Sequence, residues 1–206
     1  HFARYIAPHL QDDGGALVIG VSVSGQVART VEALRMARRV GARTLAVTGD
    51  ASSRLALSAQ CVFPAVVPAV ANTAPSPGVR SYVASLAALY LLAVRLGEAR
   101  GFLTPQSAAS ARDELRSLPR LQAEAIRTGT DRASAWLAAT EEIHEFVFLG
   151  AGPAYGVALF GAAKMLEGSG DSACGQDLEE WAHLQYFATD VATPTVVIDC
   201  GGAGYS

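Results

Sequence analysis

Ala16-Leu-Val-Ile-Gly-Val-Ser-Val-Ser-Gly25 is the stretch whose reading decides the fold. Residues 16–21 are an apolar run bounded by Gly14-Gly15 and Gly25, which predicts a short buried strand. Val27, Val31, Leu34, Met36 and Ala37 then recur at helical spacing, with Arg29, Glu32, Arg35 and Arg39 on the other face. Gly41 ends that helix, and Arg43-Thr-Leu-Ala-Val-Thr48 reads as a second strand. A strand–helix–strand unit of this kind builds a parallel sheet. Ser22, Ser24, Gly25 and Gln26 fall where the first strand hands over to the helix. There, hydroxyls and backbone N–H groups converge on a place suited to an anion, most often a phosphate. The plainer reading is that the serines only cap the helix.

The same logic runs along the rest of the chain. Gly49 to Ser53 is a loop, with Ser52 or Ser53 capping a short helix through Ser58, and Cys61-Val-Phe63 is a third strand. Pro68 to Pro77 is a second loop. A helix follows over about 78–98, apolar on nearly every face, as expected of a helix buried in a core or interface. Its longest apolar run, Val83 to Val94, is interrupted by Ser85 and is too short to span a bilayer. Thr104-Pro105 opens a helical connector that reaches residue 144, with breaks expected at Pro119 and Thr128-Gly129. Phe146-Val-Phe-Leu149, the glycine loop Gly150 to Gly156 and a helix to Glu167 repeat the strand–loop–helix pattern. A loop holding Gly168, Gly170, Cys174 and Gly175 comes next, then a helix over 178–187 and a strand at Thr195-Val-Val-Ile198.

The expected fold class is therefore α/β, with two parallel-sheet units and flanking helices. The first unit covers 1–103, the connector 104–144 and the second unit 145–206. The chain starts at His1 without methionine, so its natural start is expected to be missing, and it stops just after a strand, so the second unit is expected to be incomplete. Ligands of such sheets bind beyond the carboxyl ends of the strands, where both glycine loops fall.

A net charge of −3 and a pI near 5.8 argue against nucleic acid as the main partner. Three scattered cysteines, Cys61, Cys174 and Cys200, offer neither a disulfide framework nor zinc spacing. We expect no metal, a reducing cytoplasmic setting and no membrane partner. Among the 16 basic residues Lys164 is the only lysine, and it stands three residues before Glu167 on one helix face. A carboxylate there suits proton transfer between carbons with the ammonium holding charge, although most such pairs are surface ion pairs. Gly150 and Gly152 give only half of a dinucleotide fingerprint and suit a close backbone approach to another ligand or subunit. Glu180 and His183 repeat the spacing of three, and His183 is suited to proton transfer near neutral pH. His1, His9 and His144 sit in polar or terminal contexts. No hydrolase triad, HExxH motif or P-loop is present.

Val18-Ile-Gly-Val-Ser-Val-Ser-Gly-Gln26, Gly41-Ala-Arg-Thr-Leu-Ala-Val-Thr48 and Pro77-Gly-Val-Arg-Ser-Tyr82 together resemble the SIS, or sugar-isomerase, family of phosphosugar-binding domains. Phe148-Leu-Gly-Ala-Gly152, Gly161-Ala-Ala-Lys-Met-Leu-Glu167 and Glu180-Trp-Ala-His183 extend the resemblance to its tandem form, as in the isomerase part of glucosamine-6-phosphate synthase and in phosphosugar deglycases. The resemblance implies two SIS-type, flavodoxin-like units. It implies that Ser22 and Ser24 hold a sugar phosphate, that Glu167 shuttles a proton between C1 and C2, and that Lys164 is its partner. It also implies that His183 opens the sugar ring, often from the other subunit of a homodimer. Gly25 and Gln26 join Ser22 and Ser24 at the phosphate and Ser52, Gly150 and Gly152 line the substrate loops on this reading, and the family's first strand is expected to be missing from unit one. A sugar phosphate or amino-sugar phosphate is then the partner, and no cofactor is required. The chain departs from the family's pattern at Gln26-Val27, where Glu-Thr is usual, and at His183-Leu-Gln185, where His-Gly-Pro is usual.

Overall fold

In a computed structural model, residues 1–10, 15–69, 77–188, 190 and 192–201 are described. The chain forms two compact units, 1–73 with 78–121, and 74–77 with 122–206. Residues 70–76 of the loop expected between Pro68 and Pro77 lie outside the described residues.

Unit one opens with a short helix, α1 (Phe2–Tyr5), and a 3-10 turn at Ala7–His9. Then follow β1 (Leu17–Val21), α2 (Ala28–Arg39), β2 (Arg43–Thr48), β3 (Cys61–Pro64) and α3 (Val79–Ala99). The strands pair in parallel in the order β1-β2-β3, with Leu17 beside Arg43 and Leu45 beside Cys61. β2 is the central strand, and Thr44 through Thr48 are all buried. Its alternating side chains feed two cores. Ala46 packs with Val31 and Leu34 of α2 and with Leu55 on one face. Leu45 and Val47 pack with Ala88 of α3 on the other, and Leu89, Leu92, Ile19 and Phe63 add to that core.

α3 fulfils the expectation of burial on one stripe only. Ala88 and Val94 are buried, whereas Val79, Leu86, Tyr90 and Leu96 are exposed in the single chain. The helix runs 21 residues with a mean hydropathy of 1.4, long and apolar enough by length and composition to cross a membrane. The helix is longer than the apolar run Val83–Val94, since it continues past Arg80 and Arg95. Glu98 at its end accepts hydrogen bonds from Arg112 of the next helix and from Arg95, which hold its carboxyl below the usual range.

The connector is one helix, α4 (Pro105–Ala139), without the breaks expected at Pro119 and Thr128-Gly129. Thr104 caps it, its hydroxyl accepting from the Ser107 N–H at 3.1 Å. Pro119 removes one N–H from the ladder, and good helix formers on both sides carry the helix past it. Two hydroxyls bond back along the helix: Thr128 Oγ1 donates to the Glu124 carbonyl at 2.9 Å and Thr130 Oγ1 to the Ile126 carbonyl.

Unit two holds β4 (Glu145–Gly150), α5 (Pro153–Gly168), β5 (Ser172–Asp177), α6 (Leu178–His183) and β6 (Thr195–Ile198). β4 lies between β5 and β6, all parallel. The segment read as a loop around Cys174 and Gly175 is therefore strand β5. Ser-Ala-Cys-Gly-Gln-Asp has little β propensity, but it meets a helix at close range. A Cβ at Gly175 would stand 2.7 Å from Leu159 Cα, and one at Gly161 would stand 2.9 Å from the Phe148 ring. Small residues thus let α5 lie tightly on β4 and β5, with Ala154, Ala158 and Ala162 buried beneath it. The helix expected over 178–187 stops at His183, where Leu184 departs from helical dihedrals (φ −123°, ψ −67°), and a 3-10 turn takes Gln185–Phe187.

Candidate functional site

The loop after β1 folds back on itself. The Gly25 N–H donates to Ser22 Oγ at 3.2 Å and to the Ser22 carbonyl at 3.1 Å, and the Gln26 N–H donates to Ser24 Oγ at 3.2 Å. Each hydroxyl accepts from the backbone, which leaves its own proton to donate outward. Neither serine caps α2. The N-cap is Val27, whose side chain offers no acceptor, so the first turn of the helix carries no side-chain cap. An acceptor from outside would complete this turn, and an anion gains further from the positive end of the helix.

A second loop, after β2, clasps the first. The Gly49 N–H and Thr48 Oγ1 both donate to the Val23 carbonyl, at 2.9 and 3.2 Å, and the Leu55 N–H donates to the Gly25 carbonyl at 2.9 Å. Gly25 takes φ +62°, and a Cβ there would lie 2.0 Å from Ser53 Oγ and 2.9 Å from Thr48 Oγ1. Only glycine fits that angle and that gap. Ser53 is fully buried and caps the short turn that follows, accepting from the Ala56 N–H. Thr48 and Ser53 thus shape the cradle. Their signal in the sequence was two hydroxyl residues flanking the turn after a strand, which propensity alone reads as caps.

Ser52, expected among the substrate loops, lies in this second loop with its proton engaged. Its hydroxyl donates to Asp50 Oδ1 at 2.6 Å and its N–H to the same oxygen at 2.8 Å. The two bonds hold the Asp50 carboxyl below its usual value, the hydroxyl contributing most. Ser22 is buried, while Ser24, Gln26 and Ser52 are exposed.

In unit two, Gly150 and Gly152 stand at the carboxyl end of β4. A Cβ on Gly150 would press within 2.4 Å of the Ala154 carbonyl, and Gly152, at φ +53°, precedes α5 as its N-cap. Lys164 and Glu167 form an ion pair near the other end of α5, with Lys164 Nζ 5.2 Å from the Phe160 ring centroid. Lys164 is mostly covered and Glu167 is more than half exposed. A helix rises ~1.5 Å per residue, so Glu167 stands roughly 20 Å along the axis from Gly152. His183 belongs to the Gly150 end: β5 runs parallel to β4 with Asp177 beside Gly150, and α6 starts there. Asp177 caps α6 through the Glu179 and Glu180 N–H groups, and His183 Nδ1 lies 2.7 Å from the Glu179 carbonyl. Within one chain, then, His183 lies at the rim with Gly150 and Gly152, and the Lys164–Glu167 pair lies at the far rim. Among the described residues no cluster of three or more histidine, cysteine or acidic side chains could hold a metal ion.

The SIS domain family matches residues 7–95, from the turn before β1 into the last turns of α3. Residues 7–95 are thus similar to a SIS domain. The matched span contains the whole cradle formed by the loops after β1 and β2. A similar protein of Thermus thermophilus, named glutamine–fructose-6-phosphate aminotransferase [isomerizing], is 33% identical over 199 residues, 94% of this chain and 31% of that protein. The chain thus spans about a third of the length of such relatives. Two solved structures share the fold: the C-terminal domain of glucosamine-fructose-6-phosphate aminotransferase from Francisella tularensis and glucosamine-6-phosphate deaminase from Thermotoga maritima. The first aligns at a TM-score of 0.78 with 22% identity, over 91% of this chain and 52% of that one. The second aligns at 0.67 with 20% identity, over 94% and 55%. The α/β architecture of parallel sheets and flanking helices in this chain is that of these SIS proteins.

Proposed function

We propose that the SIS-like region holds the phosphate of a sugar or amino-sugar phosphate in the cradle of Ser22, Ser24, Gly25 and Gln26. The observation that carries this reading is the uncapped first turn of α2 beside two serine hydroxyls that already accept from the backbone. Hydroxyl protons and N–H groups then meet the phosphate oxygens together, and no lysine or arginine has to be displaced. The names of the relatives agree with this substrate class.

The chemistry proposed on that substrate is proton transfer between C1 and C2, as in aldose–ketose isomerisation, amino-sugar deamination or deglycation. Glu167 removes the proton alpha to the carbonyl or imine and returns it at the neighbouring carbon. Lys164 balances the charge of the enediolate or enamine that forms. His183 moves the proton that opens the ring. The electron pair released at C2 is held by the substrate's own carbonyl or imine, which becomes the new hydroxyl or amine. Because His183 and Glu167 lie at opposite rims of their unit, a complete site on this reading takes one of them from a second copy. A homodimer with a shared site is therefore part of the proposal, with the exposed apolar side of α3 as a contact surface.

A binding role without turnover is the alternative, and Val27 favours it, because a hydroxyl there would have added one more donor to the phosphate. A thermal-shift series with fructose 6-phosphate, glucosamine 6-phosphate and their unphosphorylated parents separates these readings. A ligand at 100 times its dissociation constant raises stability by about 2.7 kcal/mol. A shift with the phosphates and none with the parent sugars is the expected result. Equal shifts with both would overturn the phosphate cradle, full turnover retained in Glu167→Gln would overturn the role of Glu167, and binding without turnover, unaffected by Glu167→Gln, would leave binding alone.

A further inference from the structure

The back of α2 carries a second concentration of positive charge that the cradle does not use. Arg35, Arg38 and Arg39 follow one another at i, i+3 and i+4, and Arg54 joins them from the turn after β2. Two adjacent hollows of about 350 Å³ each lie there. Arg35 and Arg39 line both, Arg38 and Ser58 line one, and Arg54 the other. Glu32 is the one carboxylate on their walls, and among the described residues none of the four arginines forms an ion pair.

Like charges three and four apart weaken a helix. Complementing the helix C-terminus accounts for Arg38 and Arg39 in the last turn, but not for Arg35 or Arg54. Arg35, moreover, is held in place. Its Nε donates to Ser58 Oγ at 2.9 Å; Ser58 is buried, and its hydroxyl in turn donates to the Arg54 carbonyl at 2.7 Å. The bond through Nε fixes the guanidinium plane and leaves both terminal nitrogens unused, the fork that grips two oxygens of one oxyanion.

We propose that this face of α2 is a second anion site, which takes a multiply charged oxyanion of the diphosphate class. Arg35 is the positioned fork, Arg39 and Arg54 supply the flanking charge, and Ser58 is a positioning residue. The site sits at the last turns of α2, whereas the cradle lies at the first, so the two are occupied independently. A hollow of this size accepts a diphosphate or the diphosphate end of a larger small molecule.

Calorimetric titration of the protein with sodium pyrophosphate tests it. The expected result is binding that survives Ser22→Ala/Ser24→Ala, falls at least tenfold in Arg35→Gln/Arg39→Gln, and weakens with rising salt. Arg35→Lys keeps the charge and loses the fork, so it is expected to bind several-fold more weakly while folding normally. Ser58→Ala is expected to weaken binding less than Arg35→Gln, and Arg116→Gln on α4 to leave it unchanged. Wild-type affinity in Arg35→Gln/Arg39→Gln, or binding abolished by the cradle serines alone, would overturn the proposal. So would the absence of heat at millimolar pyrophosphate, or an oligoglutamate peptide that binds more tightly than pyrophosphate does.

Discussion

Gly25 is where two loops press hardest on one residue. With φ at +62° and Ser53 Oγ 2.0 Å from the place of a Cβ, Gly25→Ala has to move buried Ser53 and adopt a left-handed backbone at once. We expect it to cost more than about 2 kcal/mol, read as a lowered unfolding midpoint in urea, and to weaken sugar-phosphate binding as well. Ser22→Ala and Ser24→Ala are milder, since each removes one hydrogen bond to a charged oxygen. Such bonds contribute about 1.5–3 kcal/mol, so each variant is expected to bind fructose 6-phosphate tenfold or more weakly, with the midpoint of unfolding little changed. Unaltered calorimetric affinity in both variants would exclude the cradle. At Asp50 the measurement is a titration. Its folded carboxyl lies below the unfolded value because Ser52 bonds its charged form, so this small stabilisation is full above the unfolded pKa and fades as pH falls through the folded one. Carboxyl NMR of Ser52→Ala should show the Asp50 midpoint moving up.

At the scale of elements, glycines sort by what stands opposite them. Gly175 faces the Leu159 backbone at 2.7 Å, and backbone cannot step aside, so Gly175→Ala should separate α5 from β5 and destabilise the fold. Gly156 lies inside α5 with nothing within 4 Å, and Gly156→Ala should stabilise by about 0.5–1 kcal/mol in thermal unfolding. The reverse order of these two midpoints would contradict the packing of α5 on the sheet. The same contrast explains what could be read from the chain beforehand. β1, α2, β2, β3, β4 and β6 were legible because each strand carries a short apolar run, although only β2 and β4 are mainly buried, and α2 has one apolar stripe. β5 was not, since a close-lying helix requires glycine at 175 while Cys174, on the other face of the strand, is exposed, which leaves no apolar signature. The continuity of α4 was hidden by Pro119 and Gly129, whose local preferences lose to the helix around them. Of the site, Ser22, Ser24 and Gly25 could be read from a turn after a strand. The part of Thr48 and Ser53 depends on contact between two loops some 25 residues apart, which no local pattern encodes.

At the scale of the whole molecule, a site that needs two copies makes a sharp forecast. Glu167→Gln and His183→Asn should each be inactive on the best sugar phosphate, yet an equal mixture should regain about a quarter of wild-type activity. Half the dimers would be mixed, and each mixed dimer would keep one intact site of two. No recovery after co-refolding would argue for a site within one copy. The exposed residues Leu86 and Tyr90 of α3 belong to the same forecast, and their replacement by glutamate should lower the sedimentation coefficient to that of a monomer.

The solitary lysine carries a practical consequence. Apart from the terminal amine, Lys164 is the one primary amine in the chain, and it is tucked against Phe160 and Glu167. An acylating reagent therefore adds at most one internal mark, and the intact mass of the protein reports the state of that single side chain. Bound substrate should slow the marking and unfolding should hasten it, so a mass spectrum of the unmodified sequence becomes a gauge of occupancy, with no engineered probe.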